Sequence, residues 1–260
     1  MLNVIRVNAF TDNYIWLIQG MQGPGSSKVA IVDPGDARPV LAALNAEKLE
    51  PIAILITHHH GDHTGGIRQI LSNHDIPVYG PANEHITSVN HPLVEGDVVC
   101  LDGISATFSV LDVAGHTSGH IAYSGHGMLF CGDTLFSIGC GRLFEGTAQQ
   151  MHASLEKIRA LPDETMLYCA HEYTLDNICF AKVVEPDNPD LLQYERLCHE
   201  TLDAGGVTVP SRLRLEKRCN PFLRSHIQTV IDAAEQFAGR SLTGGSEVFA
   251  TLRHWKDTLD

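Results

Sequence analysis

Apolar residues recur at two different spacings along the chain, and the spacing changes where the elements change. Short β-type runs open it at residues 4–7, 14–18 and 29–32, the last stopped by Asp33-Pro-Gly35. Strands at this spacing form a sheet. A helical pattern at Val40, Leu41, Leu44 and Leu49 leads into a strand over 52–56. A histidine-rich loop follows, then a helix over 67–71, giving the order β-α-β-loop-α of an α/β protein. Runs at 98–101, 106–110, 121–123 and 128–131 predict a second group of strands, each closely followed by Gly or Asp. A two-sheet core flanked by helices accommodates this order.

Thr147-Ala-Gln-Gln150 has capping-box spacing, with Met151, Leu155 and Ile158 on one helical face and Pro162 as a stop. One more strand is expected over 165–169. Asn188-Pro189-Asp190 then reads as N-cap, first-turn proline and acidic first turn, followed by apolar positions 191, 192, 194 and 197 and a Gly205-Gly206 stop. From about Leu175 onward the pattern is mainly helical. The expected division is therefore near residue 173: an α/β domain over 1–173 and a helical domain over 174–260, without repeats or low-complexity stretches.

With 260 residues and 43% hydrophobic content, the chain can bury one large core or a core plus a smaller one. No apolar run approaches membrane-spanning length, and no basic leader with a long apolar stretch opens the chain. A cytoplasmic, monomeric protein is the expectation. The net charge of −13 argues against nucleic-acid or anionic-membrane partners, because phosphate contacts need a basic surface. Seven cysteines form no C-x-x-C pair, so they read as reduced, mostly packed thiols rather than metal ligands. One local exception to the acidic background is the cluster Arg212, Arg214, Lys217, Arg218 and Arg224.

The chemistry concentrates in Thr57-His-His-His-Gly-Asp-His-Thr-Gly-Gly66, directly after the 52–56 run. Residues i and i+2 of an extended loop point the same way, so His58 and His60 can grip one ion. The chain then turns into a helix, aiming Asp62 and His63 toward a second. Two ions roughly 3.5–4 Å apart are the arrangement of two-metal hydrolases. Further donors sit where β runs stop beside small residues: Gly115-His116, Gly132-Asp133 and Ala170-His171. Asp133, with two oxygens, is the natural bridge. Neutral imidazole with carboxylate suits zinc, iron or manganese. Alternation points His59 away from the site, and His59 and His120 are expected to pack behind the ligands instead.

Thr-His-x-His-x-Asp-His after a strand, with later Gly-His, Gly-Asp-Thr and His-Glu-Tyr, resembles the metallo-β-lactamase superfamily. More narrowly, Thr11-Asp-Asn-Tyr14, Gly115-His-Thr-Ser-Gly-His120, Phe130-Cys-Gly-Asp-Thr-Leu-Phe136, Gly139-Cys-Gly-Arg142, Ala170-His-Glu-Tyr-Thr174 and Cys219-Asn-Pro-Phe-Leu-Arg224 are similar to the glyoxalase II, or hydroxyacylglutathione hydrolase, family. That resemblance implies an αββα sandwich of two mixed sheets flanked by helices, with a helical, substrate-binding C-terminal domain. It implies one metal on His58, His60 and His116, a second on Asp62, His63 and His171, and Asp133 bridging. It places glutathione contacts at Arg142, Tyr173 and Arg224. Phe144 stands where many relatives carry tyrosine, and Ser225-His226-Ile227 follows Arg224 where some carry a lysine.

The implied reaction is hydrolysis of S-D-lactoylglutathione and related 2-hydroxyacyl thioesters to glutathione and a 2-hydroxy acid such as D-lactate, the second step of methylglyoxal detoxification. A metal-bridging hydroxide would attack the thioester carbonyl, with Asp62 and Asp133 as the catalytic carboxylates. Other enzymes of the superfamily, a mono-iron persulfide dioxygenase or a lactonase or esterase, are the competing expectation. A complete set of seven donors counts against a single redox metal with open positions. A binding module with structural metals is also disfavoured, because closed structural zinc sites are usually rich in cysteine.

Overall fold

The computed structural model describes residues 2–20 and 27–259. Met1 and Asp260, the outer limits of the two expected domains, lie outside the described residues. The chain groups into two compact units, one running to Asp112 and including Gly119–Gly132, the other comprising Val113–Ser118 and everything from Asp133 onward.

In the first unit, β1 (Leu2–Ala9), β2 (Asn13–Gly20), β3 (Lys28–Val32), β4 (Glu50–Leu55), β5 (Val78–Pro81) and β6 (His91–Leu93) form one mixed sheet in that spatial order. β1, β2 and β3 pair antiparallel, with Val4 opposite Ile18 and Trp16 opposite Val32. β3 to β6 run parallel. β2 is buried almost throughout, whereas β1 alternates partly exposed and buried residues at the sheet edge. α1 (Ala37–Glu47) starts at Asp36, whose carboxylate accepts from Arg38 N at 2.9 Å, and stops at Lys48 in a left-handed conformation. It lays Val40 and Leu44 against Ile15, Leu17, Ile31, Ile54 and Ile56. Each such aliphatic side chain, fully buried, stabilises the fold by about 1.5–3 kcal/mol relative to exposure. Leu49 lies beyond the helix yet packs on the same cluster, which is why it fitted the helical period.

β7 (Val98–Leu101), β8 (Ala106–Asp112), β9 (Ile121–Gly125) and β10 (Met128–Gly132) form an antiparallel ladder. Its Tyr123 hydroxyl donates to Ile56 O at 2.8 Å, tying β9 to the end of β4 from which the histidine loop departs.

The second unit begins with a hairpin of β11 (Leu135–Phe136) and β12 (Gly139–Cys140), then α4 (Ala148–Arg159), whose capping box between Thr147 and Gln150 is present in full. β13 (Met166–Cys169) follows, then α5 (Thr174–Val184) and α6 (Pro189–Asp203). Asn188 caps α6 by accepting from Asp190 N and Leu191 N. The helical run is then interrupted by β14 (Ser211–Arg212), which pairs antiparallel with β13, Leu167 opposite Ser211. α7 (Leu213–Cys219), a 3-10 turn over Pro221–Leu223, α8 (Gln228–Ala238) and α9 (Gly245–Asp257) complete it. Phe180, Phe222, Phe249 and Trp255 stack edge and face with ring centroids 5.7–5.8 Å apart. No helix among the described residues is long and apolar enough to cross a membrane.

Candidate metal centre and its adjoining cavity

The histidine loop of the first unit is held by Asp33, itself in a left-handed turn at φ 50° after β3. Its carboxylate accepts from Thr57 N at 2.8 Å, from the Thr57 hydroxyl at 2.7 Å and from His63 Nδ1 at 3.1 Å. With its proton committed to Asp33, the Thr57 oxygen receives His58 Nδ1–H at 3.1 Å. Both imidazoles therefore keep their second nitrogen, Nε2, as a lone-pair donor, the usual way an outer carboxylate or hydroxyl prepares a metal-binding histidine. The rings converge: His58 lies 4.0 Å from His63 and 4.7 Å from His60 between centroids.

α2 (Gly61–Thr64) presents Asp62 beside His63, with Asp62 Oδ2 3.6 Å from His63 Nε2. Asn13 Nδ2 donates to the same Oδ2 at 3.0 Å, so β2 fixes the carboxylate. The turn after β3 comes so close that a Cβ on Gly35 would sit 1.7 Å from Asp62 O, which only glycine allows. His59 and His120 find partners outside the seven expected donors or stack behind them. His59 Nδ1 meets Glu84 Oε2 at 2.9 Å, while His120 stacks on His58 at 4.5 Å and bonds Ile121 O through Nδ1.

In the second unit, Asp133 stands between two histidines. Its Oδ2 is 3.4 Å from His116 Nε2 and its Oδ1 is 3.4 Å from His171 Nε2. His116 Nδ1 donates to the Arg142 carbonyl at 2.8 Å, which again leaves Nε2 as the free-electron donor. Tyr173 stacks on His171, 4.7 Å and 10° from parallel, and Phe136 meets both rings edge-on. A carboxylate offering one oxygen toward each of two imidazole nitrogens suits a bridging ligand. The described His and Asp side chains include groups of three fit to hold a metal ion. By donor chemistry the set fits hard-to-borderline divalent cations.

The same unit has a cavity of about 420 Å³ with His116 and Asp133 in its lining. Arg142 and Tyr173 line it, together with Arg253, Lys256 and Asp176. Arg253 and Lys256 were not singled out in the sequence. They lie three apart on α9, and that i, i+3 pairing of cations beside the apolar Phe249 and Leu252 is the signal that marks them. Arg253 is 2% exposed, its Nη1 donating to Cys140 O at 3.0 Å and its Nη2 to Asp257 at 2.9 Å.

Arg224 lies elsewhere. Its guanidinium grips Glu185 through two bonds of 2.7 and 2.8 Å, and it lines a separate groove with Glu185, Asp232 and Thr229. The other cations of its cluster are also paired: Arg212 and Arg214 with Glu164, Lys217 with Asp163, Arg218 with Asp190. Ser225, which follows Arg224, is buried with its hydroxyl 3.1 Å from His152 Nε2. Phe144 is 64% exposed at the cavity lining and packs edge-on against His116.

Comparison with known proteins adds two findings. The family described as metallo-beta-lactamase superfamily matches residues 10–171, and that described as hydroxyacylglutathione hydrolase C-terminus matches 172–259. A protein of Nitrosomonas eutropha named hydroxyacylglutathione hydrolase is 54% identical over 259 residues, covering 100% of both chains. Among solved structures, ETHE1 from Myxococcus xanthus superposes with a TM-score of 0.66 at 22% identity, covering 100% of this chain and 91% of that one. A second, TTHA1623 in a di-iron-bound form, gives 0.59 at 25% identity over 85% of this chain and 100% of that one. The sandwich of two mixed sheets flanked by helices, expected from the sequence, is the fold of this chain.

Proposed function

The chain belongs to the metallo-β-lactamase superfamily and, within it, to the hydroxyacylglutathione hydrolases, and from that premise we propose that it hydrolyses S-D-lactoylglutathione and other S-2-hydroxyacylglutathiones. His58, His60 and His116 would hold one divalent ion and Asp62, His63 and His171 a second, with Asp133 as the ligand the two would share. Zinc is the first expectation, with iron and manganese fitting the same donors. When bound, such ions lower the pKa of water from ~15.7 to about 7, which supplies hydroxide at neutral pH, and polarise a carbonyl.

The chain's own residues do the rest. Asn13 fixes Asp62, whose carboxylate orients the nucleophile and can take up its proton. Arg142, Arg253 and Lys256 gather positive charge in the cavity, where the two carboxylates of a glutathionyl group need it in an otherwise acidic protein. Tyr173 supplies an aromatic wall that also steadies His171. The thiolate leaving group, with a thiol pKa near ~8.5, departs without a general acid. Burial pushes the Cys140 thiol in the cavity lining up to about 11 and the Cys169 thiol up to about 12, so neither competes as nucleophile.

Within this reading Arg224 is a structural partner of Glu185 rather than a substrate contact. Residues 1–173 form the catalytic domain and 174–260 the substrate-binding domain of a cytoplasmic monomer. The observation that carries the proposal is the two-sided Asp133 carboxylate opening on a cationic cavity.

Purified protein assayed with elemental analysis tests it. Two divalent ions per chain and turnover of S-D-lactoylglutathione far above an oxygen ester are expected. One iron per chain with oxygen uptake on glutathione persulfide would overturn it in favour of the dioxygenase reading.

A further inference from the structure

One buried acid takes no part in the reaction described above. Glu216, on α7, is fully buried, and its carboxylate accepts from Ile138 N at 2.8 Å, from the Ser211 hydroxyl at 2.6 Å and from Asn220 Nδ2 at 3.1 Å. Burying a carboxylate is costly unless such donors surround it, and burial pushes its pKa upward. What Glu216 holds is specific. Ile138 sits at φ 60°, in the left-handed region that a β-branched residue adopts only under constraint.

Ile138 is in the turn of the 135–140 hairpin, and besides its N–H four of the hairpin's carbonyls are gripped from the helical elements. Asn220 Nδ2 donates to Phe136 O at 3.3 Å and to Gly139 O at 2.9 Å. Asn177 Nδ2 donates to Ser137 O at 3.0 Å, and Arg253 to Cys140 O at 3.0 Å. A Cβ on Gly139 would lie 2.4 Å from the Asn177 amide, so the hairpin has no slack on that side. The hairpin in turn carries the working parts. It follows Asp133 directly, brings Phe136 against His171 and Tyr173, and delivers Arg142 two residues after Cys140.

We propose that Glu216 is a positioning residue: by holding Ile138 in its strained conformation it fixes the hairpin, and through it places Arg142 and Phe136 in the substrate cavity. The choice of substrate in the test rests on the function proposed above, whereas the backbone measurement does not.

Glu216→Gln keeps the shape but turns one acceptor oxygen into an amide that faces the donors it should receive. Its KM for S-D-lactoylglutathione rises about fivefold or more, with kcat within about twofold and metal content unchanged. Amide exchange at Ile138 and its neighbours quickens about tenfold or more. Val230→Ala, which opens a void in α8 away from the hairpin, lowers the melting temperature and leaves both readings at wild-type values. Should Glu216→Gln fail to fold, Ser211→Ala, which removes one of the donors to Glu216, shows the same two changes in weaker form. A folded Glu216 or Ser211 variant with wild-type KM overturns the proposal even if exchange quickens, and so does a Val230→Ala KM shift of equal size. If the wild-type protein does not turn over the thioester, the functional reading falls, and unchanged exchange at Ile138 in Glu216→Gln still overturns the clamp.

Discussion

The two units present their donors by opposite means. In the first, His58, His60, Asp62 and His63 come from one short stretch, and side chains aim them: Asp33 and Thr57 set the histidine tautomers and Asn13 fixes Asp62. In the second, His116, Asp133 and His171 arrive from distant points of the sequence. The backbone carbonyl of Arg142 aims His116, and the position of Asp133 and His171 at strand ends aims the others, with the Tyr173 ring stacked on His171. A contiguous motif is therefore easy to read and depends on replaceable side chains. A dispersed set is harder to read and depends on the backbone path.

The strongest test of that contrast falls on Asp133, where the dispersed set is concentrated. Asp133→Ala should lower turnover at least about 10³-fold, because hydroxide supply at neutral pH depends on the bound ions, and elemental analysis should show metal lost with it. Full activity would remove Asp133 from the centre. Next come the orienting groups. Asp33→Asn should weaken metal affinity about 10–100-fold, measured by competition with a chelator, whereas Arg142→Ala keeps its carbonyl and should hold metal as well as wild type while binding substrate less tightly. Equal metal loss in both would erase the distinction between side-chain and backbone aiming.

The smallest effect concerns the cations. Arg253→Ala should raise KM about tenfold with little change in kcat. Arg224→Ala should leave KM within about threefold and instead cost about 3–5 kcal/mol of stability, because Glu185 would remain buried without its partner. Thermal melts beside steady-state kinetics separate the two. A larger KM shift in Arg224→Ala would return that residue to the substrate.

Much of this was legible in the sequence, for identifiable reasons. The i, i+2 histidines and the strand-end positions of His116, Asp133 and His171 follow from alternation and from where β runs stop, and the two units place each of them beside others of the set. α4 and α6 were legible through their caps at Thr147 and Asn188. β11 and β12 were not, since two residues per strand carry no period. β5 and β6 were missed because Gly80, Pro81 and Pro92 suggest turns, and parallel pairing alone recruits them. Arg253 and Lys256 were not singled out, because two cations on one helix face are ordinary on a solvated surface and only the fold buries them. The Arg212 to Arg224 cluster looked like an open basic patch because its acidic partners, Asp163, Glu164, Glu185 and Asp190, lie far along the chain.

Cys140 shows what burial protects. Cys140 lines a cavity beside which the proposed reaction sets free a thiol, and wherever that thiol has been oxidised to its disulfide a reactive Cys140 thiolate would attack it and be captured as a mixed disulfide. Exposed to only 3% and pushed up to about 11 by burial, its thiol stays protonated at neutral pH. A pocket that handles glutathione can thus keep a cysteine in its lining, because a shielded, protonated thiol is a poor nucleophile toward the disulfide its product forms on oxidation.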